Sequence, residues 1–267
     1  MAIEDLFMFP YFVFNHLAVG PLVINSWGFF AGLAFVAGYL FVLFQARQKN
    51  IPDKNIIILV LAIFIGAALG SRAGYLLQFP NEWLADVSLL WRFDQGGLIL
   101  WGGIFGGFLG GWVYIKIAKL NLWQIADLAT PAIALGMGIG RIGCFLINDH
   151  VGAPTTLPWG ILWPDGIARH PVALYELLVG FGLFAILLLV GKKILPGRLF
   201  LLFLVSYSVT RFFLDFLRIR DGILADPHWW AFTTSQWISL LLLTIILLYS
   251  IIVNQKFLRF FNKKSQI

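Results

Sequence analysis

Charge is what this chain has least of. Only 12% of its 267 residues are Asp, Glu, Lys or Arg, while 60% are hydrophobic, and soluble domains carry about a quarter charged residues. With a mean hydropathy of +0.87 and runs of about 20 apolar residues recurring along the chain, a single core in water is excluded and lipid is the solvent. Cysteine is nearly absent too: Cys144 is the one thiol, which excludes an intrachain disulfide and leaves the redox compartment open. No Cys/His cluster of metal-ligand spacing is present, so neither a metal nor an organic cofactor is expected. Linkers rich in Pro and Ser, low-complexity tracts and soluble domains are missing, which leaves one integral-membrane domain over residues 1–267. The opening "MAIEDLFMFPYFVF" lacks the basic start of a secretory signal peptide and is broken by Pro10. It is expected to be an interfacial lead-in, not a cleaved leader.

What is there is an all-α, polytopic pattern. Seven spans are expected at roughly 24–45, 56–79, 97–116, 125–147, 173–191, 199–217 and 236–254, each about the length needed to cross hydrocarbon. The segments "ARQKNIPDKN", "KIAKLNLWQ", "GKKILPGR" and the tail "QKFLRFFNKKSQI" hold all nine lysines. By the positive-inside rule these face the cytoplasm, which puts the N-terminus outside and the C-terminus inside. The excess of six positive charges is therefore an orientation signal, and no nucleic-acid partner is expected.

The arginines divide differently. Arg47, Arg198 and Arg259 sit with the lysines, but Arg72, Arg92, Arg141, Arg169, Arg211, Arg218 and Arg220 fall in the outer half or outside. Any cation serves orientation, whereas a planar guanidinium can grip two phosphate oxygens at once. Helices two, four and six all run outward and carry Arg72, Arg141, and Arg211 with Arg218, so these could converge. Arg218 and Arg220 also suit a plainer role, complementing a helix end and snorkelling to headgroups. Arg141 and Arg211 lie deeper, where a central arginine costs about 2.5–3.5 kcal/mol on insertion scales, so they are expected to face the bundle interior and mark a site. Asp215 follows Arg211 by four residues and precedes Arg218 by three, on one helical face, as a neutralising salt bridge would require. Glu176, opening the fifth span beside Arg169, His170 and Tyr175, calls for a partner, with the arginines as candidates. "GGIFGGFLGG" at 102–111 reads as close helix packing, and Trp159, Trp163, Trp229 and Trp230 as an interfacial belt.

The stretch "GRIGCFLINDHVG" at 140–152 resembles the signature of the prolipoprotein diacylglyceryl transferase family, G-R-x-G-N-F-x-N-x-E-x-x-G. Gly140, Arg141, Gly143, Phe145 and Gly152 match in spacing, Asp149 shortens the usual glutamate, and Cys144 and Ile147 replace asparagines. "VGPLVINSWGFFAGL", "GSRAGYLLQFP", "FDQGGLILWGGIFGG", "RHPVALYELL" and "YSVTRFFLDFLR" are similar to further stretches of that family, in order. Trp101 precedes "GG" where many members have a histidine proposed as the base, and no histidine lies nearby in sequence.

The resemblance implies a transfer of the diacylglyceryl unit of phosphatidylglycerol to the lipobox cysteine thiol of a prolipoprotein signal peptide, with release of glycerol phosphate. The expected partners are phosphatidylglycerol, the prolipoprotein and membrane lipids, in the bacterial cytoplasmic (inner) membrane with the site toward the outer leaflet. Arg141 is assigned to the lipid phosphate, Arg211 to the leaving group or thiolate, and Asn148 and Asp149 to headgroup hydroxyls or to Arg141 itself. Asp149 could also take the thiol proton if burial raised its pKa. His150 is another candidate base or a solvated loop histidine, and Cys144 a small apolar packer. Arg72, Gly152, Arg169, His170, Tyr175, Glu176, Arg218, Trp27 and Trp101 are candidates for substrate binding. A diverged member that only binds lipid, and a transporter using intramembrane charges, are the alternatives.

Overall fold

The computed structural model describes residues 8–90, 99–191, 194, 196–221 and 225–264. Arg92, Lys192, Lys193 and the start of the third expected span lie outside these. Contacts divide the chain into two compact units: one holds Ala129–Ile267 with the chain up to Gly38, the other Tyr39–Leu128. Helices dominate: α1 (Ser26–Gln48), α2 (Asp53–Gln78), the short α3 (Pro80–Ala85), α4 (Leu100–Ile117), α5 (Leu122–Leu146), α6 (Val172–Gly191), α7 (Arg198–Leu214) and α8 (Thr234–Lys264). Among the described residues six of them, α1, α2, α5, α6, α7 and α8, are long and apolar enough to span a bilayer. The 18-residue α4 falls on the remaining expected span. The chain is a multi-pass membrane protein.

The helix ends follow local chemistry. After α1, Asn50 takes a left-handed backbone (φ 56°) while Lys49 and Ile51 donate to the Ala46 carbonyl at 3.0 Å, closing the helix with an asparagine that tolerates positive φ. Arg47 then grips Asp53 at 2.6 Å, placing an acid in the first turn of α2, where the helix dipole favours it. Within the same unit α2 and α4 pack backbone to backbone. A Cβ on Gly70 would run into the Gly102 carbonyl and come within 2.8 Å of Gly106 Cα, and one on Gly74 would meet Gly102 Cα at 3.3 Å. The four-residue glycine repeat is the contact itself, as the sequence pattern implied. Ile56, Leu59, Ile115, Ile125 and Leu128 build the core beside it.

From Ala129 onward α5 belongs to the other unit, and the helix is the most buried of the six spans. Leu183 and Leu187 of α6 and Leu199 and Phe203 of α7 pack with Ala134 of α5, and Gly180 of α6 approaches Gly138 of α5 so closely that a Cβ would lie 2.6 Å from its nitrogen. Large apolar side chains such as Phe35, Leu40, Leu189 and Leu247 are exposed, which in a bilayer is contact with acyl chains.

The expected interfacial lead-in is partly strand. β1 (Phe9–Pro10) pairs in parallel with β4 (Ile161–Leu162), which pairs with β5 (Ala168–Arg169); β2 (His16–Val19) and β3 (Leu22–Asn25) form a hairpin in register Val19↔Leu22. Gly20, at φ 61°, supplies the positive φ that opens its two-residue turn. A last hairpin, β6 (His228–Trp229) with β7 (Phe232–Thr233), leads into α8.

Candidate functional site

Arg141 stands near the end of α5, Glu176 in the first turns of α6 and Arg211 in the last turn of α7. The three meet. Arg141 Nε lies 2.8 Å from Glu176 Oε2, and Arg211 Nη1 bonds Glu176 Oε1, so one buried carboxylate joins the two deep guanidiniums. Both arginines line the same small cavity with Met137, Tyr207 and Thr210. The partner that Glu176 required is thus both candidate arginines at once, as an intramembrane acid demands.

A second layer extends from α7. Arg211 Nη2 lies 3.1 Å from Asp215 Oδ1 and donates to Ser235 Oγ at 3.3 Å. Asp215, on the 3-10 turn Asp215–Leu217 that tightens the end of α7, accepts from the Thr233 hydroxyl and from Ser235 Oγ at 2.6 Å. Arg218 Nη1 completes the chain of charges, 2.5 Å from Asp226 Oδ2 and 3.6 Å from Asp215 Oδ1. The reading of Asp215 as the neutraliser of Arg211 holds. Arg218 is a correction: it is buried and doubly paired, so it is no snorkelling residue. Arg220 is exposed and lies over the Phe216 ring at 4.9 Å, consistent with an interfacial place.

Beside this network opens a polar cavity of about 440 Å³ lined by Asn15, Ile147, Asn148, Asp149, His150, Val151, Trp163, Arg218, Ile219 and Asp226. Gly152 follows the lining residue Val151 and is bridged to Arg218 as in a strand pair, with Ala153 N donating to Leu217 O at 2.8 Å and His170 N to Ala153 O at 3.0 Å. A Cβ at Gly152 would collide with the His170 carbonyl, which explains a glycine where three backbone segments meet.

The signature's polar residues behave differently from the expectation. Asn148 Nδ2 donates to Phe12 O at 2.8 Å, anchoring the N-terminal segment. Asp149 faces His150, with Oδ2 3.5 Å from its Nε2 and the carboxylate side chain 44% exposed. Orientation of Arg141 falls to Glu176, and the burial that would make Asp149 a base is missing. His150 is no solvated loop histidine: it lines the cavity, and burial, then the Arg218 guanidinium, push its pKa down to about 4. Cys144 is buried, 3.7 Å from Arg141 Nη1, and its sulfur, Asp149 and His150 present ligand atoms within 4.8 Å of one another. The sequence suggested no such cluster, because the residues are not in a metal-ligand motif.

Arg169, His170 and Tyr175 form a separate group. Arg169 Nη2 pairs with Asp165 at 2.7 Å and stacks over Trp163 at 5.4 Å. The Tyr175 hydroxyl accepts from Trp159 Nε1 at 2.8 Å and meets His170 Nδ1 at 3.2 Å. Burial lowers the pKa of His170. Trp27 is exposed while its backbone lies against Gly143, where a Cβ would meet Trp27 Cα at 3.0 Å. Arg72 and Trp101 belong to the unit Tyr39–Leu128. There Arg72 is buried with its guanidinium 5.2 Å from the Tyr75 ring centre, and Trp101 is exposed. Sequence reasoning missed Asp226, Thr233 and Ser235. Their signal was polarity just before an apolar run, which loops between spans share generally.

The family model described as Prolipoprotein diacylglyceryl transferase matches residues 14–252. Proteins called phosphatidylglycerol–prolipoprotein diacylglyceryl transferase are similar along most of their length. The one from Geobacter sulfurreducens is 31% identical over 258 residues, covering 93% of this chain and 98% of that protein. The one from Pasteurella multocida is 35% identical over 230 residues (82% and 84%). The one from Bordetella avium is 33% identical over 250 residues (88% and 92%).

Proposed function

Because the chain belongs to the prolipoprotein diacylglyceryl transferase family, we propose that it transfers the diacylglyceryl group of phosphatidylglycerol to the cysteine thiol of a prolipoprotein. Glycerol phosphate leaves, and the step is the first of bacterial lipoprotein maturation. The observation that carries the reading is the pair of guanidiniums, Arg141 and Arg211, held by Glu176 on one cavity. A fixed pair of permanent cations in a low-dielectric site stabilises negative charge growing on a leaving phosphate without reorganising at the moment of reaction. Arg218, on the wall of the 440 Å³ cavity, supplies a third cation where a lipid headgroup has room. The acceptor S–H proton is given up to solvent, sulfur forms its bond to the glyceryl carbon as the carbon–oxygen bond to phosphate breaks, and the electron pair of that bond departs on glycerol phosphate. In this reading the site faces the outer leaflet of the cytoplasmic membrane, with the N-terminus outside and the C-terminus inside, as the distribution of lysines favours.

The test is purified protein in lipid nanodiscs with labelled phosphatidylglycerol and a lipobox peptide. Glycerol phosphate release matched by peptide lipidation supports the reading. Lipid binding without release supports the diverged, non-catalytic alternative and overturns it.

A further inference from the structure

The 440 Å³ cavity has an unfavourable wall for an anion. Among the described residues that line it, Arg218 brings the only cation, while Asp149 and Asp226 bring two carboxylates. His150 adds no charge at neutral pH, because burial and then the Arg218 guanidinium hold its pKa at about 4. The wall is therefore net negative, and a phosphodiester entering beside it meets repulsion. One of the two acids has to yield.

Their contacts show which. Asp149 is held to its own loop, with Oδ1 accepting from His150 N at 3.0 Å and Oδ2 facing the same residue's ring. Asp226 instead sits on the cation itself, Oδ2 at 2.5 Å from Arg218 Nη1, where a phosphate oxygen would have to lie to be gripped. The two ends of that pair differ. The Arg218 side chain is 6% exposed and that of Asp226 39%, so the acid can rotate into water and be hydrated while the guanidinium stays in place. Arg218 would keep Asp215 at 3.6 Å, but Asp215 already serves Arg211, Thr233 and Ser235. A buried cation left short of a partner is costly, so Asp226 leaves only as another anion arrives.

Resting on the transferase reading above, we infer that Asp226 is a tethered stand-in for phosphate, which yields Arg218 to the phosphodiester of the incoming lipid and takes it back from the glycerol phosphate that is released. The return step matters because of charge. The lipid diester carries one negative charge, whereas a phosphate monoester carries about −1.5 to −2 at pH 7, so fixed cations by themselves would hold product more tightly than substrate. A carboxylate on a short tether competes at an effective concentration of about millimolar. Asp226 thus sets the affinity of the site for both anions, weakening each, and it does so through Arg218 rather than by touching the reacting atoms.

The experiment uses full-length protein in nanodiscs, assayed with lipobox peptide over a range of phosphatidylglycerol contents. Binding of labelled glycerol phosphate is measured separately by equilibrium dialysis, in nanodiscs of zwitterionic lipid. Asp226→Asn should lower KM for phosphatidylglycerol by ~10-fold and tighten glycerol phosphate binding by at least as much, with kcat no higher than the parent's. Asp226→Glu, which keeps the charge, should stay within ~3-fold of the parent in both. A residue that only braced its loop would act in the opposite sense when lost, raising KM and weakening binding. Unchanged or weakened values in Asp226→Asn therefore overturn the inference and leave the transferase reading intact, and so does equal tightening in Asp226→Glu, since charge would not be the cause. Tighter glycerol phosphate binding by Asp226→Asn, with no lipidation by parent or variant, overturns the transferase reading and leaves the anion exchange at Arg218.

Discussion

Replacing Glu176 by glutamine isolates the joint on which the arginine pair depends. Glutamine keeps the shape and one acceptor oxygen but removes the charge shared by Arg141 and Arg211. The two are not equally exposed to the loss. Arg211 retains Asp215 at 3.1 Å and Ser235 at 3.3 Å, whereas Arg141 is left with the weak sulfur contact of Cys144 at 3.7 Å. At 2.8 Å and an effective dielectric near 20, the gross attraction of Arg141 and Glu176 is about 6 kcal/mol. Part of it only offsets the cost of desolvating the groups, and breaking one side of a buried pair costs about 3–5 kcal/mol. Arg141 is 24% exposed and the amide oxygen still accepts, so the lower end applies, about 3 kcal/mol. Thermal unfolding in nanodiscs should show a midpoint lowered by roughly 6–12 °C, and peptide lipidation should fall by about two orders of magnitude. A midpoint within ~2 °C of the parent with undiminished lipidation would mean that the carboxylate positions neither arginine, and the account of the site fails.

Arg141→Lys keeps charge but loses the two-pronged grip, so kcat/KM for phosphatidylglycerol should drop by ~30-fold or more, about 2 kcal/mol; full activity refutes bidentate phosphate recognition. Gly70→Ala forces a methyl into the α4 backbone at Gly102 and Gly106 and should destabilise by about 1–3 kcal/mol, whereas Gly182→Ala, with nothing within 4 Å of the added Cβ, should be neutral or gain up to ~1 kcal/mol of helix propensity. Equal melting temperatures for these two variants would contradict backbone-to-backbone packing of α2 and α4. Gly152→Ala should abolish lipidation, since its methyl meets the His170 carbonyl, and a fully active variant would remove the loop junction from the argument. The lowered pKa of His170 favours its neutral form, so its contribution to stability is complete above the ordinary value near 6.5 and is lost as pH falls below it. His170→Gln should therefore flatten the acid side of the stability profile, and an unchanged profile counts against burial as the cause.

Composition and hydropathic period alone determined the class of this protein, because a bilayer crossing needs a run of apolar residues and such runs are written locally. The glycine repeat at 102–111 was legible for the same reason, since small residues four apart face one way on any helix. The depth of Arg141 and Arg211 and the isolation of Glu176 marked a site, and the spacing of Asp215 from Arg211 gave its role, all within single helices. The identity of each partner was not local. Glu176 lies 35 residues from both arginines along the chain and joins them only because the start of α6 meets the ends of α5 and α7. Arg218 read as a surface cation until Asp226, from the following loop, met it. Asp149 read as an ally of Arg141, but positive φ at Asn148 and His150 turns it toward His150 and Cys144 instead. Charge type and depth are properties of the residue and its run, and they can be read in order. Which opposite charge answers a buried cation depends on where separate segments end in space, and tertiary packing decides that.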